Sequence, residues 1–256
     1  AKLKELYRVG LSNRYGRLMQ AISGFHYNFS APECLMEVIF SRYKKFYNRK
    51  SEAYFSLLKN IHEFNWIILY LTGASPIVPN LMIKDRKNIL KKLSDEVYFH
   101  PFATSLRMSE YGYKNVLRDV FKVSFTSLNE YVSDIQMATS AKSNFSDLQN
   151  KENLTYLIEG PDKFIQINSN KLQIDDEYYA IARLKSSLVS SMSTTEKIKT
   201  NGVDFIEVRS LDLNPYEPVE HFIVKKVDRD RIPFIDGIFV FHGRKYEPIA
   251  TLMYEH

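Results

Sequence analysis

Apolar residues recur at helical spacing through the first half of the chain and again just before position 140. Leu3, Leu6, Leu11 and Leu18 fall roughly on one side of a helix, and later segments repeat the same spacing. The pattern predicts five helices. The first runs from Leu3 to about Leu18, the second from just after Pro32 through Ile39 to Phe46, and the third from an N-cap at Ser51 to Leu71, before a stop at Gly73. The fourth lies around Arg86 to Leu93, and the fifth runs from a capping box of Ser127 and Glu130 to about Thr139.

Alternating apolar and polar positions mark strands elsewhere in the chain. The predicted strands are Gln20–Ser30, Phe164–Ile174, Glu177–Arg183, Val203–Leu211 and Phe234–Phe241. Two polar stretches, residues 140–151 and 186–200, are predicted loops. Because helices and strands fall in separate blocks, the sequence predicts an α+β fold with a largely antiparallel sheet and helices packed on one side.

The first predicted strand has a polar face and an aromatic face. Period two places Gln20, Ile22, Gly24, His26, Asn28 and Ser30 on one face, and Phe25, Tyr27 and Phe29 on the other. Two interpretations of His26 stay open at this point. It is either a hydrogen-bonded strand histidine or a functional imidazole.

A carboxylate and a guanidinium lie side by side on the strand Val203–Leu211. The alternation places Val203, Phe205, Glu207, Arg209 and Leu211 on one face, opposite Ile206 and Val208. Glu207 and Arg209 are compatible with a cross-strand ion pair. They are equally compatible with a ligand for a hard cation beside a group that grips a phosphoryl oxyanion.

Further polar side chains flank these strands. Tyr179 and Arg183 face the same way on their predicted strand, and Asn168, Asn170 and Gln173 precede it; Arg107 and Tyr113 lie on a predicted loop. Three strands with such faces indicate a sheet whose concave side binds a charged small molecule.

Composition narrows the function classes without selecting one. The 256 residues carry 35 Lys and Arg against 30 Asp and Glu, a net charge of +5, which suits anionic ligands in general. The single cysteine, Cys34, cannot form an intramolecular disulfide, and the longest apolar run, Trp66 to Leu71, is too short to span a bilayer. With no stretch of signal-peptide type at the N-terminus, we expect a cytoplasmic protein.

Common nucleotide and metal motifs are absent from the sequence. No two of the nine glycines are closer than six residues, which excludes G-x-G-x-x-G and the Walker loop. One cysteine excludes a multi-cysteine zinc site. Phosphate chemistry would therefore depend on metals and arginines rather than on a glycine-rich cradle.

Five collinear segments carry a family resemblance. LYRVGLSNRYGRLMQAISGFHYNFS, YLTGASP, ATSLRMSEYGY, QINSNKLQIDDEYYA and FIEVRSLDLNPYEP resemble the proteobacterial type of glutamate–cysteine ligase, in order from about Leu6 to Pro218. The resemblance implies ATP- and magnesium-dependent joining of the glutamate γ-carboxylate to the cysteine amine, the first step of glutathione synthesis. It also implies a catalytic sheet similar to that of glutamine synthetase.

The resemblance assigns roles residue by residue. His26 and Glu207 would be magnesium ligands, and Arg209 would contact the transferring phosphoryl group. The amino-acid pockets would be lined by Tyr7, Leu11, Gln20, Arg107, Tyr113 and Tyr179, with Arg8 and Asn28 on the nucleotide side. The cofactors implied are ATP and Mg²⁺, and the partners are small molecules rather than nucleic acid or membrane. Cys34 matches no functional position.

Two departures from the family limit these expectations. The family has further acidic metal ligands before the segment that matches Tyr7, so we expect this chain not to complete a three-magnesium cluster. Residues 219–256 show no counterpart among the motifs, and turn signals at Asp236-Gly237 and Gly243 predict short strands, as in a β-hairpin. The predicted organisation is a partial catalytic domain over residues 1–218 and an unmatched tail over 219–256.

Two alternative functions remain. The first is an inactive fragment or remnant of the family that binds only nucleotide, amino acid or a partner. The second is single-stranded nucleic-acid binding by the segment 42–50, in which basic residues interleave with Tyr43, Phe46 and Tyr47. A helix over the same segment would place its basic residues on an ordinary solvated stripe, which argues against the second alternative.

Overall fold

The computed structural model describes residues 2–15, 24–43, 50–83, 89–109, 112, 121–142 and 166–213. Its helices are α1 (Lys2–Tyr15), α2 (Glu33–Tyr43), α3 (Lys50–Thr72), α4 (Asn80–Ile83), α5 (Leu128–Ser140) and α6 (Thr194–Asn201), with a 3₁₀ turn at Asp175–Glu177. Its strands are β1 (Phe25–Phe29), β2 (Ile77–Pro79), β3 (Lys91–Lys92), β4 (Val97–Phe99), β5 (Ala182–Lys185) and β6 (Phe205–Leu211).

The main sheet is antiparallel and has β6 in its centre. The strand order is β1-β6-β5, with Asn28 opposite Glu207 and Arg183 opposite Glu207 from the other side. Ile206 and Val208 turn to the buried face, where Ala182 and Leu184 of β5 join them. The α+β class and the antiparallel sheet predicted from the sequence are confirmed.

Helix α3 covers the buried face of this sheet and provides much of the core. Tyr54, Leu58 and Ile61 of α3 are almost fully buried and pack in one cluster with Ile206 and Val208. Helix α5 adds Val132 and Ile135 to the same cluster. Burying each of these large apolar side chains stabilises the fold by about 1.5–3 kcal/mol. The apolar face of the sheet is therefore fixed against α3, and the polar residues lie on the opposite face.

A second, smaller sheet follows α3. Its strand order is β2-β4-β3, and a separate cluster of Val78, Ile83, Leu90 and Leu106 packs with it. The prediction of a helix around Arg86 to Leu93 was wrong within its described part, because Lys91–Lys92 forms β3 and pairs with β4. Cross-strand hydrogen bonds outweigh the weak helical preference of so short a segment.

The helix bounds agree with the sequence in most places, and Ser51 is an exception. Helix α3 already includes Lys50, so Ser51 is not its N-cap. The Ser51 hydroxyl instead accepts a hydrogen bond of 2.9 Å from the Val203 N–H. Gly73 follows the last helical residue, as predicted, and its N–H donates to the Leu69 carbonyl.

Helix α5 begins as predicted, although its first turn differs in one hydrogen bond. The Ser127 hydroxyl accepts from the Glu130 N–H at 3.2 Å, which confirms the N-cap. The Glu130 carboxylate accepts from the Ser124 hydroxyl at 2.6 Å. The reciprocal half of the predicted capping box is therefore replaced by a contact with the preceding loop.

The predicted loop over residues 186–200 was wrong in its second half, because that half contains all of α6 except its last residue. Ser193 and Glu196 form a complete capping box at the N-terminus of this helix. Gly202 follows the last helical residue with φ 83°, a conformation that other residues adopt only at a cost. Both signals stand in the sequence, so this helix was predictable.

Two of the predicted strands differ from the structure in their described parts. Described residues 166–174 form bends rather than a strand, and the predicted strand from Glu177 to Arg183 begins in a 3₁₀ turn, so that only its last two residues belong to β5. In the first of these segments, Arg14 of α1 donates to the backbone carbonyls of Asn168, Asn170 and Lys171, so these carbonyls are satisfied without a neighbouring strand.

The predicted strand Phe234–Phe241 and the division at residue 218 lie outside the described residues. No described helix has the length and apolar character needed to cross a membrane.

Candidate active site

The face of the main sheet opposite the core carries a row of polar side chains. Asn28, Glu207 and Arg183 stand side by side on β1, β6 and β5. The burial of β1 alternates so that His26 and Asn28 are exposed while Phe25, Tyr27 and Phe29 are half-buried. The two-residue alternation read from the sequence is thereby confirmed for this strand.

His26, Glu207 and Arg209 are brought together on that face. His26 Nδ1 lies 3.3 Å from Glu207 Oε1, and Arg209 Nη1 lies 3.7 Å from Glu207 Oε2. Glu207 is only 16% exposed, and the Arg209 side chain is 12% exposed. Such partly buried charges interact more strongly than the same groups in water.

Two further charged residues, which the sequence reasoning did not single out, complete this cluster. Lys185 Nζ lies 3.3 Å from Asp176 Oδ1 and 3.9 Å from Glu207 Oε2, so it bridges the two carboxylates. Arg183 Nη1 also contacts Asp176 Oδ1, at 3.2 Å. Lys185 shares a face with Arg183 because β5 continues to Lys185, whereas the predicted strand ended at Arg183.

The electrostatics of the cluster favour an ionised Asp176 and a neutral His26 imidazole. Burial raises the pKa of Asp176, but the nearby Lys185 and Arg183 cations outweigh it and hold that pKa below its usual range. Burial and the Arg209 cation lower the pKa of His26, although Glu207 opposes them. A neutral His26 keeps a nitrogen lone pair for a ligand.

Tyr7, Leu11, Arg14 and Tyr15 follow each other at helical spacing on one side of α1. Leu11 and Arg14 are buried there. The Tyr15 hydroxyl donates to Glu177 Oε1 at 2.8 Å, and its ring meets that of Tyr179 edge-on at 5.4 Å. The predicted pocket residues Tyr7, Leu11 and Tyr179 therefore belong to one region, whereas Arg8 is exposed on another side of α1.

Glu177 organises this tyrosine region from a fully buried position. Its carboxylate accepts from Arg14 Nη1 at 2.9 Å and from the Gln173 N–H at 2.6 Å. Burial, followed by the Glu177 charge, raises the pKa of both Tyr7 and Tyr15, so both phenols stay protonated. Neither Arg14 nor Glu177 was a candidate from the sequence, because no pattern connects residues 163 positions apart.

Arg107 occupies a different environment from the one the sequence suggested. Its Nε donates to Asp212 Oδ1 at 2.6 Å, and its Nη2 donates to the carbonyl of Leu211 at 2.7 Å. The Arg107 side chain is 8% exposed and that of Asp212 is 1% exposed. A contact between Arg107 and a substrate carboxylate stays a prediction, and two of its three nitrogens already have protein acceptors.

Gln20 and Tyr113, the two other predicted pocket residues, lie outside the described residues. Cys34 carries a free thiol and is exposed.

The donor set of the polar face fits a magnesium ion in part. Glu207 Oε2 is buried and accepts no hydrogen bond from the described residues, and His26 offers a second ligand beside it. Among the same described residues, no three His, Cys, Asp or Glu side chains converge on one point. Magnesium commonly keeps several waters and takes one or two carboxylates together with substrate phosphates.

The amino-acid sequence matches the family model described as glutamate–cysteine ligase over residues 1–243. The chain belongs to the glutamate–cysteine ligase family. The match runs past Pro218, so it takes in part of the segment for which the motifs showed no counterpart.

Two relatives put the family membership on a quantitative footing. Glutamate–cysteine ligase from Aliivibrio fischeri (strain MJ11) is 39% identical over 239 residues, which are 92% of this chain and 43% of the relative. A crystal structure of a glutamate–cysteine ligase from Francisella tularensis in complex with AMP has a TM-score of 0.78 and 33% identity, covering 96% of this chain and 47% of that chain.

A third protein, a bifunctional glutathione synthetase, is similar to this chain at a lower level. The crystal structure of a bifunctional glutathione synthetase from Pasteurella multocida has a TM-score of 0.50 and 26% identity over 81% of this chain and 22% of that one. The chain thus spans less than half the length of the glutamate–cysteine ligases that it matches.

Proposed function

We propose that this chain takes part in the ATP- and magnesium-dependent joining of glutamate and cysteine. The observation that carries the proposal is the convergence of His26, Glu207 and Arg209 on one face of the sheet, at 3.3 and 3.7 Å. These are the side chains to which the resemblance assigns the metal and phosphoryl roles. Family membership supports the same reaction.

The proposed chemistry starts with activation of a carboxylate. A γ-carboxylate oxygen of glutamate attacks the γ-phosphorus of ATP, the bond to the β-phosphate oxygen breaks, and ADP leaves. The cysteine amine then attacks the acyl carbon of the γ-glutamyl phosphate, inorganic phosphate leaves with the C–O bond electrons, and the nitrogen releases one proton to give the amide. Phosphoryl transfer of this kind depends on positioning and on neutralising charge.

Arg209, Lys185 and Arg183 supply the positive charge for that transfer. Among the described residues of this cluster they outnumber the carboxylates of Asp176 and Glu207 by three to two, so these groups would attract a phosphate. Arg209 is suited to the transferring group because its planar guanidinium can donate two parallel hydrogen bonds.

His26 and Glu207 are the residues that would hold magnesium. When bound, the ion would neutralise phosphate charge and align the attacked phosphorus. The remaining ligands would come from water, from the phosphates and from groups beyond the described residues. Because Lys185 and Arg209 flank Glu207, we expect the ion to enter together with the nucleotide rather than alone.

The tyrosine region of α1 is the proposed amino-acid side of the site. Burial keeps the Tyr7 phenol protonated. A tyrosine hydroxyl, at Tyr7 or at Tyr179, can donate to a substrate carboxylate or accept from its ammonium group. Arg8, Asn28, Gln20, Arg107 and Tyr113 keep the roles that the resemblance assigns as predictions.

The reaction is tested directly with the purified chain, ATP, magnesium, glutamate and cysteine. We expect γ-glutamylcysteine by mass spectrometry, with one ADP for each product molecule. Replacing cysteine by hydroxylamine should yield the γ-glutamyl hydroxamate, which traps the acyl phosphate. The matched Glu207→Gln chain should form neither product.

The sparse ligand set favours one alternative, a binding remnant of the family. Two metal ligands among the described residues would allow a nucleotide complex without turnover. If calorimetry shows ATP binding but no ADP, hydroxamate or peptide forms, the chain is a binding remnant. That result would contradict the proposal that this chain by itself is a ligase.

A further inference from the structure

The central strand of the main sheet contains an irregularity beside the proposed site. Tyr27 pairs with Val208, but Phe25 pairs with Leu211, so three steps along β6 match two steps along β1. Arg209 and Ser210 consequently stand together opposite His26. An extra residue of this kind is a β-bulge, which bends the strand and redirects side chains next to it.

The bulge changes which side chains point to the polar face. Strict alternation from Glu207 predicts Arg209 and Leu211 on one face, and that prediction was wrong for Leu211. Ser210 is fully buried and Leu211 is 4% exposed in the core, whereas Arg209 reaches Glu207. The extra residue therefore turns the chain into the core immediately after Arg209.

Arg107 holds both ends of this irregular segment. Its Nη2 donates to the carbonyl of Arg209 at 3.3 Å and to the carbonyl of Leu211 at 2.7 Å. A bulge disrupts the regular ladder, and buried carbonyls need donors from elsewhere. On the opposite edge, the Arg209 N–H donates to the Ile181 carbonyl at 2.7 Å.

Asp212 in turn fixes Arg107 and connects it to two loops. Besides Arg107 Nε, its carboxylate accepts from the Ser75 hydroxyl at 2.6 Å, from the Ala74 N–H at 2.9 Å and from the Ser105 hydroxyl at 3.0 Å. All the lone pairs of a nearly buried carboxylate are thus used. Charge-assisted hydrogen bonds of this kind are stronger than neutral ones and specific in direction.

We propose that the Arg107–Asp212 pair is a positioning device that maintains the β6 bulge and thereby aims Arg209 at the phosphoryl-transfer site. This inference deepens the proposed ligase function and rests on it for its kinetic consequence. Neither Arg107 nor Asp212 needs to touch the transferring phosphate for the device to work. The loops 73–75 and 104–107 are tied to the site through the same carboxylate.

Gly24 leaves the room that this arrangement needs. A Cβ at position 24 would lie 2.5 Å from the Arg107 Cζ and Nη1 atoms, so any side chain there would displace the guanidinium. The close approach of backbone and guanidinium is a use to which glycine is suited.

The test compares Asp212→Asn with a control at the other end of the same strand. Asp204 lies just before β6, and Asp212 lies just after it. Like Asp212, Asp204 accepts hydrogen bonds from a serine hydroxyl and from a cation, which is Lys50 in its case. We expect Asp212→Asn to lower kcat about 100-fold with KM for ATP changed less than about threefold, because misplacing a catalytic group by 1 Å has effects of this size. Asp204→Asn should keep kcat within about threefold, even where it lowers thermal stability.

A double-mutant cycle with Arg209→Ala separates positioning from general destabilisation. If Asp212 acts through Arg209, Asp212→Asn should slow the Arg209→Ala chain by less than about twofold, since coupled residues are not additive. An unchanged kcat in Asp212→Asn, or full additivity in the cycle, would overturn the proposal. Arg107→Lys keeps the positive charge but loses the planar guanidinium, so it should reproduce the Asp212→Asn result. It replaces Asp212→Asn in the test if the Asp212→Asn chain does not fold.

Hydrogen exchange of the Arg209 amide makes the test independent of turnover. We expect this amide to exchange at least about tenfold faster in Asp212→Asn than in Asp204→Asn, because only the former loosens the bulge. Equal exchange in the two variants would refute the positioning role. Faster exchange in a chain that shows no ligase activity would refute the proposed function and leave the positioning role intact.

Discussion

His26 Nδ1 lies 3.3 Å from Glu207 Oε1, across the two antiparallel strands whose other face forms the core. The relationship depends on the register that places Asn28 opposite Glu207 and keeps His26 on the same face. A shift of one residue would turn either side chain into the apolar cluster. The packing of the apolar face therefore fixes the position of the proposed site on the polar face.

Glu207→Gln should remove magnesium-dependent turnover while the fold remains. The substitution keeps the shape of the side chain but deletes the charge that would bind the ion, and we expect a loss of at least about 100-fold in kcat. Initial rates and thermal unfolding measure the two effects. Asp95→Asn, at an exposed carboxylate paired with Lys92, is the control and should keep the parent rate. Normal turnover in Glu207→Gln would eliminate this residue as a ligand.

Arg209→Lys should also fail to support turnover, although it preserves the positive charge. A lysine ammonium offers a point charge where the guanidinium offers a planar fork, so we expect kcat to fall about 100-fold or more, as when a preorganised donor is lost. The KM for glutamate should change little, since we propose Tyr7 and Tyr179, rather than Arg209, for the amino-acid side. A large rise in the glutamate KM with unchanged kcat would contradict the phosphoryl role.

Magnesium should bind tightly only together with a nucleotide. Lys185 and Arg209 lie 3.9 and 3.7 Å from Glu207 Oε2, and they repel a free cation until phosphate groups neutralise them. Calorimetric titration of magnesium into the chain, with and without a non-hydrolysable ATP analogue, measures the difference. We expect at least about tenfold tighter binding with the analogue, which is about 1.4 kcal/mol. Equal affinity in both titrations would argue against a shared site.

Arg14→Met should destabilise the chain more than Glu177→Gln. Removing one partner of a buried ion pair costs about 3–5 kcal/mol. Arg14 additionally donates to the carbonyls of Asn168, Asn170 and Lys171, which the methionine would leave unsatisfied. Urea unfolding followed by circular dichroism gives both free energies. The reverse order would show that the carbonyl contacts contribute little.

Acid should weaken the fold through His62. Burial lowers the pKa of His62 to about 4, below the value of about 6.5 in an unfolded chain. The unfolded state therefore binds more protons between about pH 6.5 and pH 4, and the free energy of unfolding falls as the pH falls through that window. We expect a loss of about 2–3 kcal/mol across it from this residue.

His62→Phe should remove that pH dependence and keep the packing. The His62 ring lies 4.6 Å from the ring of Phe125, and a phenyl ring can make the same contact. Urea unfolding at pH 7.5 and pH 4.5 measures the change in slope for parent and variant. An identical pH dependence in the two chains would rule out His62 as its source.

Local patterns predicted a good part of this structure because their causes are local. The alternation over Phe25–Phe29 fixed which side chains share a face, and Gly73 marked the end of α3. The capping box of Ser193 and Glu196 also stood in the sequence, and reading it would have replaced a predicted loop by α6. Each of these signals acts over five residues or fewer.

The family resemblance and the strand alternation, both properties of the sequence alone, selected His26, Glu207 and Arg209. Only the tertiary structure showed that Lys185 and Asp176 join them, that Arg14 meets Glu177, and that Asp212 holds Arg107 across 105 positions. The β6 bulge was also visible only in the tertiary structure, because the extra residue in β6 is defined by its pairing with β1. Propensity and periodicity act along the chain, whereas buried charges find their partners only after the chain has folded back on itself.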